Sequence, residues 1–451
     1  MNSESRLLTG WGRTVPTRSD VHRPLAGDDV DAMLKEADDR GAIARGLGRG
    51  YGDVAQNAGG RVLDMTSLRR VRSIDLGAGT ITVDAGFNLD ALMRLIVPLG
   101  WFVAVTPGTR HVTVGGAIAS DIHGKNHHRD GSFCDHVLSM ELRTPAGEHL
   151  RLTADDTPDE FWATAGGLGL TGVVTEATLQ LLPIETSRIR ADTQRCSDLD
   201  ELMTLMHEED ERYRYSVAWI DCLARGTSMG RAVLSRGEHA SLDALPVDER
   251  ATALAFDPHT RLAAPPWAPP GLLNRLTVRA FNELWFRKAP RHDIGGLESI
   301  SWFFHPLDSV SGWNRLYGRT GFVQYQFVVP FGQEDAVRES VRRLSEARTP
   351  SFLAVLKRFG PGHGLLSFPM AGWTLALDIP SALPGLARLL DDLDDLVVGA
   401  NGRVYLAKDS RLRPELLAIM YPELDRWREI RARLDPDAVM CSDLARRLQL
   451  V

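Results

Sequence analysis

The segment Gly115-Gly116-Ala117-Ile118-Ala119-Ser120-Asp121-Ile122-His123-Gly124-Lys125-Asn126 places an imidazole and an ammonium two residues apart, behind a run of small residues. Small side chains let a backbone approach something flat or phosphate-like. His123 and Lys125 could then hold or move a proton at its edge. Pro107-Gly108-Thr109 lies just upstream, and a second glycine run, Gly46-Leu47-Gly48-Arg49-Gly50-Tyr51-Gly52-Asp53, precedes the segment by about sixty residues. Backbone N–H groups in such a loop can form an anion-binding nest, to which Arg45 and Arg49 add charge; a plain glycine turn is the simpler alternative. Lys357 and Lys408 each follow an apolar run, Phe352 to Leu356 and Val404 to Ala407. A lysine desolvated at a strand end loses proton affinity and becomes usable in proton transfer, although a solvated terminal lysine gives the same pattern. Two backbone cradles and a polar cluster suggest a large cofactor with chemistry at its edge.

Three other templates fail. Gly124-Lys125 is followed by Asn126 instead of Ser or Thr, and Ala119 stands where a Walker loop needs its first glycine. Gly167-Leu168-Gly169-Leu170-Thr171-Gly172 matches GxGxxG, but Val173 to Leu179 alternates like a strand where a Rossmann fingerprint requires a helix. His123 and His127 have helical zinc spacing, with His128 alongside, yet Gly124 and Asn126 disfavour a helix and no HExxH glutamate is present. No metal is expected; a histidine over a cofactor ring or a structural histidine remains.

Periodicity indicates the elements that hold these residues. Arg61 to Met65, Thr80 to Ala85 and Val173 to Leu182 alternate as strands, and Val137 to Leu142 with His149 to Leu152 reads as a hairpin. Leu89, Leu92, Met93 and Ile96 mark one helix face behind Asn88 as N-cap. From about residue 188 acidic helical stretches alternate with aromatic strands such as Tyr215 to Ile220, and further strands are expected at 321–329, 352–356, 373–379 and 402–407. Helices are expected to contain Pro414 to Met420 and Leu424 to Leu434. Ala263 to Leu273 is a Pro-rich connection.

At 451 residues two domains are expected, and 43% apolar with 25% charged residues is a soluble globular composition. The net charge of −7 and the lack of basic blocks argue against nucleic-acid partners. Cys134, Cys196, Cys222 and Cys441 have no CxxC spacing and read as reduced thiols. Met1 to Ser19 lacks an apolar core and no run of 18 apolar residues occurs, so neither a signal peptide nor a membrane span is expected, and a cytoplasmic enzyme is.

The chain resembles the vanillyl-alcohol-oxidase-type flavoproteins through "RGLGRGYGD", "VLDMTSL", "TVDAG", "PGTRHVTVGGAIASDIHGKN" and "GLGLTGVVTEATL". It is similar over nearly its whole length to one branch, the decaprenylphosphoryl-β-D-ribose 2-oxidases of actinobacterial cell-wall arabinan synthesis. "LTGWGRT", "FFHPLD", "WNRLYG", "QYQFVVP", "FLAVLKRFG", "YLAKDSR" and "CSDLARRL" carry that likeness. The resemblance implies an α+β fold of two domains. Residues 1–187 would form most of a PCMH-type FAD-binding domain, 188–401 an inserted substrate domain on an antiparallel sheet, and 402–451 a segment returning to the FAD domain. It implies FAD, held without a covalent bond because no histidine occupies the first glycine loop.

In the first loop Arg45, Gly46, Leu47, Gly48, Arg49, Gly50 and Tyr51 would meet the cofactor. In the second, Pro107, Gly108, Thr109, Val112, Gly115, Gly116, Ala119, Ser120 and Asp121 would do so, joined by His123, Gly124, Val174 and Tyr405. The implied reaction oxidises the ribose C2 hydroxyl of decaprenylphosphoryl-β-D-ribose to a ketone by hydride transfer to flavin N5, the first half of epimerisation to an arabinose donor. Lys408 matches the branch's essential lysine, with His123 as a second catalytic residue. Lys125, Gln326, Lys357 and Phe304 would bind substrate. A quinone or oxygen would accept the electrons, and a separate NADH-dependent short-chain reductase would finish the epimerisation. The lipid substrate implies visits to a bilayer, peripherally at the inner face of the plasma membrane, with the loop around Trp267 a candidate contact. Phe304 stands where the branch often has Tyr, and Thr374 and Ala376 where mycobacterial members carry Asn and Cys. The alternative reading is an FAD-dependent sugar, alditol or aldonolactone oxidase with a soluble substrate.

Overall fold

A computed structural model describes residues 3–260, 262–265 and 271–451. The first sheet has four strands in the order Ser3–Leu8, Thr17–His22, Arg61–Asp64, Ala42–Arg45, with one antiparallel pair followed by two parallel ones. The tail of the chain extends it. Ala42 donates its N–H to Val439 O at 2.8 Å, and Cys441 donates to Ala42 O at 2.9 Å.

The second sheet is built around Val173–Pro183, whose burial alternates residue by residue, as the sequence period requires. It pairs antiparallel with Val137–Arg143 on one edge and with Thr80–Asp84 and Trp101–Val103 on the other. The GxGxxG turn therefore leads directly into a strand. Helix Leu89–Ile96 buries Leu89, Leu92, Met93 and Ile96, each contributing about 1.5–3 kcal/mol, and Asn88 Oδ1 accepts from Ala91 N at 2.7 Å.

The third sheet has eight antiparallel strands, in the order His292–Ser299, Arg188–Cys196, Ala232–His239, Tyr215–Ile220, Ala354–Phe359, Gly372–Pro380, Phe322–Pro330, Arg403–Val404. Helices Glu334–Glu346 and Leu386–Gly399 pack against Phe322–Pro330 on one side. The strand expected over 402–407 stops at Val404. Lys408 N and Asp409 N both turn back to Tyr405 O, at 3.0 and 3.1 Å, and lift Lys408 out of the sheet. The strand expected over 352–356 runs instead over Ala354–Phe359, which puts Lys357 inside it. In the Pro-rich connection Leu262–Ala263 pairs parallel with Val310–Ser311; Trp267 lies outside the described residues. No helix among the described residues is long and apolar enough to cross a membrane.

Candidate active site

A cavity of ≈ 460 Å3 lies between the two glycine loops and one face of the third sheet. Every residue expected at cofactor or substrate lines it except Asp121. That carboxylate is fully buried elsewhere: it accepts from Ser132 Oγ at 2.7 Å, from Cys134 N at 3.1 Å and from Ser367 Oγ. Asp121 thus ties the end of the small-residue segment to its surroundings, and burial raises its pKa.

The first loop is shaped to receive an anion. Among the described residues, the N–H groups of Leu47, Gly48, Arg49 and Gly50 donate to no protein acceptor. Gly48 sits at φ +65, where a Cβ would also strike the Arg45 guanidinium. That guanidinium donates to Ala55 O at 2.8 Å and Thr9 O at 2.7 Å, so Arg45 braces the loop. Arg49 stacks on Trp11 at 3.8 Å. In the second loop Thr113 Oγ1 accepts from Gly116 N at 3.2 Å and starts the short helix Val114–Ala119. A Cβ on Gly108 would meet nothing within 4 Å.

The sheet supplies the polar floor through its period of two. Gln324 and Gln326 share a face of Phe322–Pro330, and register sets Gln324 opposite Asp378 and Gln326 opposite Ala376. Lys357 lies opposite Thr374. Gln326 donates to His123 Nε2 at 3.0 Å and to Thr374 Oγ1 at 3.2 Å, while Thr374 donates to Phe327 O at 2.8 Å. The His123 ring is packed among Phe359, Phe368 and Tyr405, and its buried Nδ1 has no protein partner. Burial, then the Lys357 charge, pushes its pKa well below the ordinary value, so the imidazole is neutral. His127 and His128 diverge from it: His127 Nδ1 accepts from Gly360 N at 3.2 Å, and His128 Nε2 lies 2.9 Å from Tyr213 O.

Three lysines converge on the same space. Burial and the charges of Lys408 and Lys125 lower Lys357 to about 7. Burial lowers Lys125 to about 8 against the opposing pull of Glu298; its Nζ donates to Phe303 O and lies 4.1 Å from the Phe303 ring centre. Lys408 is lowered by burial to about 8 against the pull of Asp378. Its Nζ donates to Gln324 Oε1 and lies 4.2 Å from the Tyr51 ring centre. Gln324 in turn donates to Asp378, whose other oxygen is buried without a partner. Burial raises this carboxyl to about 7. Three clustered ammonium groups repel one another, and an anion between them would relieve the repulsion.

Gln324 and Asp378 were not among the expected residues. Gln324 follows from Gln326 by one step of strand alternation, and Asp378 is the one charge in the apolar strand Gly372–Pro380. Trp219, Trp285, Glu298 and Trp302 also line the cavity, from elements no local pattern brings together. None of Cys134, Cys196, Cys222 and Cys441 does, and Ala376 does. An electrophile that enters this cavity and traps thiols should therefore leave the intact mass of the protein unchanged; a covalent adduct at any cysteine, blocked by excess substrate, would contradict this placement.

The free N–H row, the open space at Gly108 and the unpartnered Nδ1 of His123 suit a large group with a phosphate end and a flat end. Residues 21–153 match the FAD binding domain family and residues 382–448 the D-arabinono-1,4-lactone oxidase family. The fold and site are those of a two-domain α+β FAD-dependent oxidoreductase acting on a CH–OH group. The chain is 45% identical to decaprenylphosphoryl-β-D-ribose oxidase of Mycolicibacterium smegmatis, over 99% of this chain and 98% of that protein. It is 23% identical to L-gulono-1,4-lactone dehydrogenase of Mycobacterium tuberculosis, over 98% and 99%. The chain belongs to the decaprenylphosphoryl-β-D-ribose oxidase family.

Proposed function

We propose that the protein oxidises the ribose C2 hydroxyl of decaprenylphosphoryl-β-D-ribose to the ketone, the first half of an epimerisation to the arabinose donor. The observation that carries this reading is the convergence of Lys125, Lys357 and Lys408 on a cavity that also holds the glycine loops. Residues 1–187 and 402–451 would hold FAD and residues 188–401 the substrate. The free N–H groups of Leu47 to Gly50 suit the pyrophosphate, and the loop from Pro107 to Gly124 suits the flavin, with Val174 and Tyr405 beside it. Bound FAD supplies the two-electron acceptor.

The remaining work falls to side chains. Lys125 and Lys357 hold the phosphodiester as ammonium groups. The His123–Gln326 pair orients the sugar, with Phe304 shaping the pocket beside Lys125. Lys408 in its neutral form takes the hydroxyl proton at Nζ, and Gln324 fixes that atom. A quinone or oxygen would reoxidise the cofactor, a separate NADH-dependent reductase would reduce the ketone, and the lipid substrate calls for peripheral contact with a bilayer. The similarity to lactone oxidases favours a second reading, oxidation of a soluble sugar or lactone. Anaerobic mixing separates the two: bleaching of the flavin band by polyprenylphosphoryl ribose supports the first, and bleaching only by free polyols or lactones the second.

Two further results are expected. Asp378 raises the pKa of Lys408, so Asp378→Asn should lower it and move the acid limb of log kcat/KM to lower pH. A limb that stays in place would separate Asp378 from Lys408. Binding of an unreactive phosphodiester analogue should raise the pKa of Lys357 from about 7 and take up protons near that pH. Calorimetry in buffers of different ionisation enthalpy reads this directly, and zero uptake would remove Lys357 from the anion site.

A further inference from the structure

Residues 262–265 and 271–302 carry an apolar surface that faces solvent. Among the described residues eight of the twenty-three exposed large hydrophobics fall in this short stretch. Most of the chain's scattered exposed leucines need no explanation, but such clustering does. Its centre is helix Arg275–Lys288. Asn274 Oδ1 accepts from Leu276 N at 2.8 Å and Thr277 N at 3.2 Å, so the helix start is capped. Val278 and Asn282 point inward, Asn282 donating to Asp221 Oδ1 at 2.7 Å. Helical spacing puts Leu276, Ala280 and Leu284 on the opposite side, where Leu276 is 77% and Leu284 67% exposed. Ile294 on the adjacent edge strand is 65% exposed.

The charges around this stripe are mostly positive, and its one carboxylate, Glu283, is paired with Arg287 and Arg231. Arg275, Arg279, Arg287 and Lys288 are exposed on the helix, and the charged neighbours acting on Arg275 are Arg348, Arg225 and Arg279. The chain as a whole carries −7, so the sign here is opposite to the rest. The same segment reaches the cavity, which Trp285, Glu298 and Trp302 line.

We propose that helix Arg275–Lys288 rests on an anionic lipid bilayer, with Leu276, Ala280 and Leu284 in the headgroup boundary and the arginines on the headgroups. A leucine stripe flanked by Lys and Arg is the pattern of an interfacial helix. This placement rests on the lipid-linked substrate proposed above, because it brings the cavity mouth to the layer in which a polyprenyl chain is dissolved.

The test is co-sedimentation of the FAD-loaded full chain with phosphatidylglycerol–phosphatidylcholine vesicles, against phosphatidylcholine alone. The unaltered protein should pellet with the anionic vesicles and be released by salt. Leu276→Glu with Leu284→Glu should lower vesicle partition about tenfold or more. It should keep the flavin spectrum, the melting temperature and oxidation of a short-chain, water-soluble polyprenylphosphoryl ribose. Arg275→Glu with Arg279→Glu should remove the preference for anionic lipid. Undiminished sedimentation of the leucine variant overturns the proposal. So does failure of the unaltered protein to bind vesicles while the leucine variant changes only its oligomeric state, which would make the face a protein interface. Vesicle binding without any flavin bleaching by polyprenylphosphoryl ribose would leave the docking face standing and overturn the substrate instead.

Discussion

Lys408→Met should leave the protein yellow and slow flavin bleaching by polyprenylphosphoryl ribose by about 10²–10⁴-fold, the usual worth of a positioned proton acceptor. The cofactor should stay because the free N–H groups of Leu47 to Gly50 and the capped helix Val114–Ala119 do not depend on the lysine. The proton would then have no acceptor at the place where Gln324 and the Tyr51 ring hold Nζ. Methionine keeps most of the buried stem, so the loss reports on the amine and not on packing. Stopped-flow absorbance checks the rate, and the ratio of flavin to protein absorbance checks retention. Bleaching at the wild-type rate would remove Lys408 from proton handling.

Lys357→Met and Lys125→Met should act on binding. A charge-assisted hydrogen bond is worth about 1.5–3 kcal/mol, which corresponds to roughly 10- to 100-fold in KM for each variant, with kcat moved much less. The double variant should fall short of the product of the two, because the ammonium groups share one anion and repel one another. Lys357→Met has a further signature. The Lys408 charge helps lower Lys357 to about 7, so Lys357 has lost its proton by the time Lys408, held at about 8 by burial and Asp378, gives up its own. The acid limb set by Lys408 should therefore stay in place in Lys357→Met, unlike the move to lower pH expected for Asp378→Asn. Equal shifts in both variants would point to a change in the fold instead of a change in charge.

The glycine loops and the strands around Val173–Pro183 were legible because local rules govern them: φ at Gly48, alternation along the strand, a cap at Asn88. Lys408 was legible as a residue but not as a position. Its strand ends early, since Lys408 N and Asp409 N both return to Tyr405 O, and nothing in the apolar run announces that turn. Lys357 was expected at a strand end and lies within one. The inward turn of Asp121 is held by Ser132 and Cys134 and, far along the chain, by Ser367, so the small residues before it suggested the cavity instead. Gln324 and Asp378 needed the register of two strands that lie far apart in sequence. Pairings of that kind set who faces whom across a sheet, and one sequence carries them only weakly.

The tail that joins Ala42 on both sides also fixes the order in which the protein can be completed. Val439 and Cys441 flank Ala42, Asp443 N donates to Gln56 O at 2.8 Å, and Tyr51 N donates to Ala407 O at 3.1 Å. The first glycine loop and the turn that carries Lys408 are therefore neighbours separated by most of the chain. During synthesis the first sheet waits at one edge until the ribosome has delivered the last partners, because N-terminal regions emerge first. Pairings across so long a loop form late and slowly. A nascent chain halted before Val404 would have neither the lysine nor the segment Val439 to Cys441 that bridges Ala42, and would be released with an open sheet edge. The turn that carries Lys408 and the partner that closes this sheet edge thus arrive together, long after the sheet they complete.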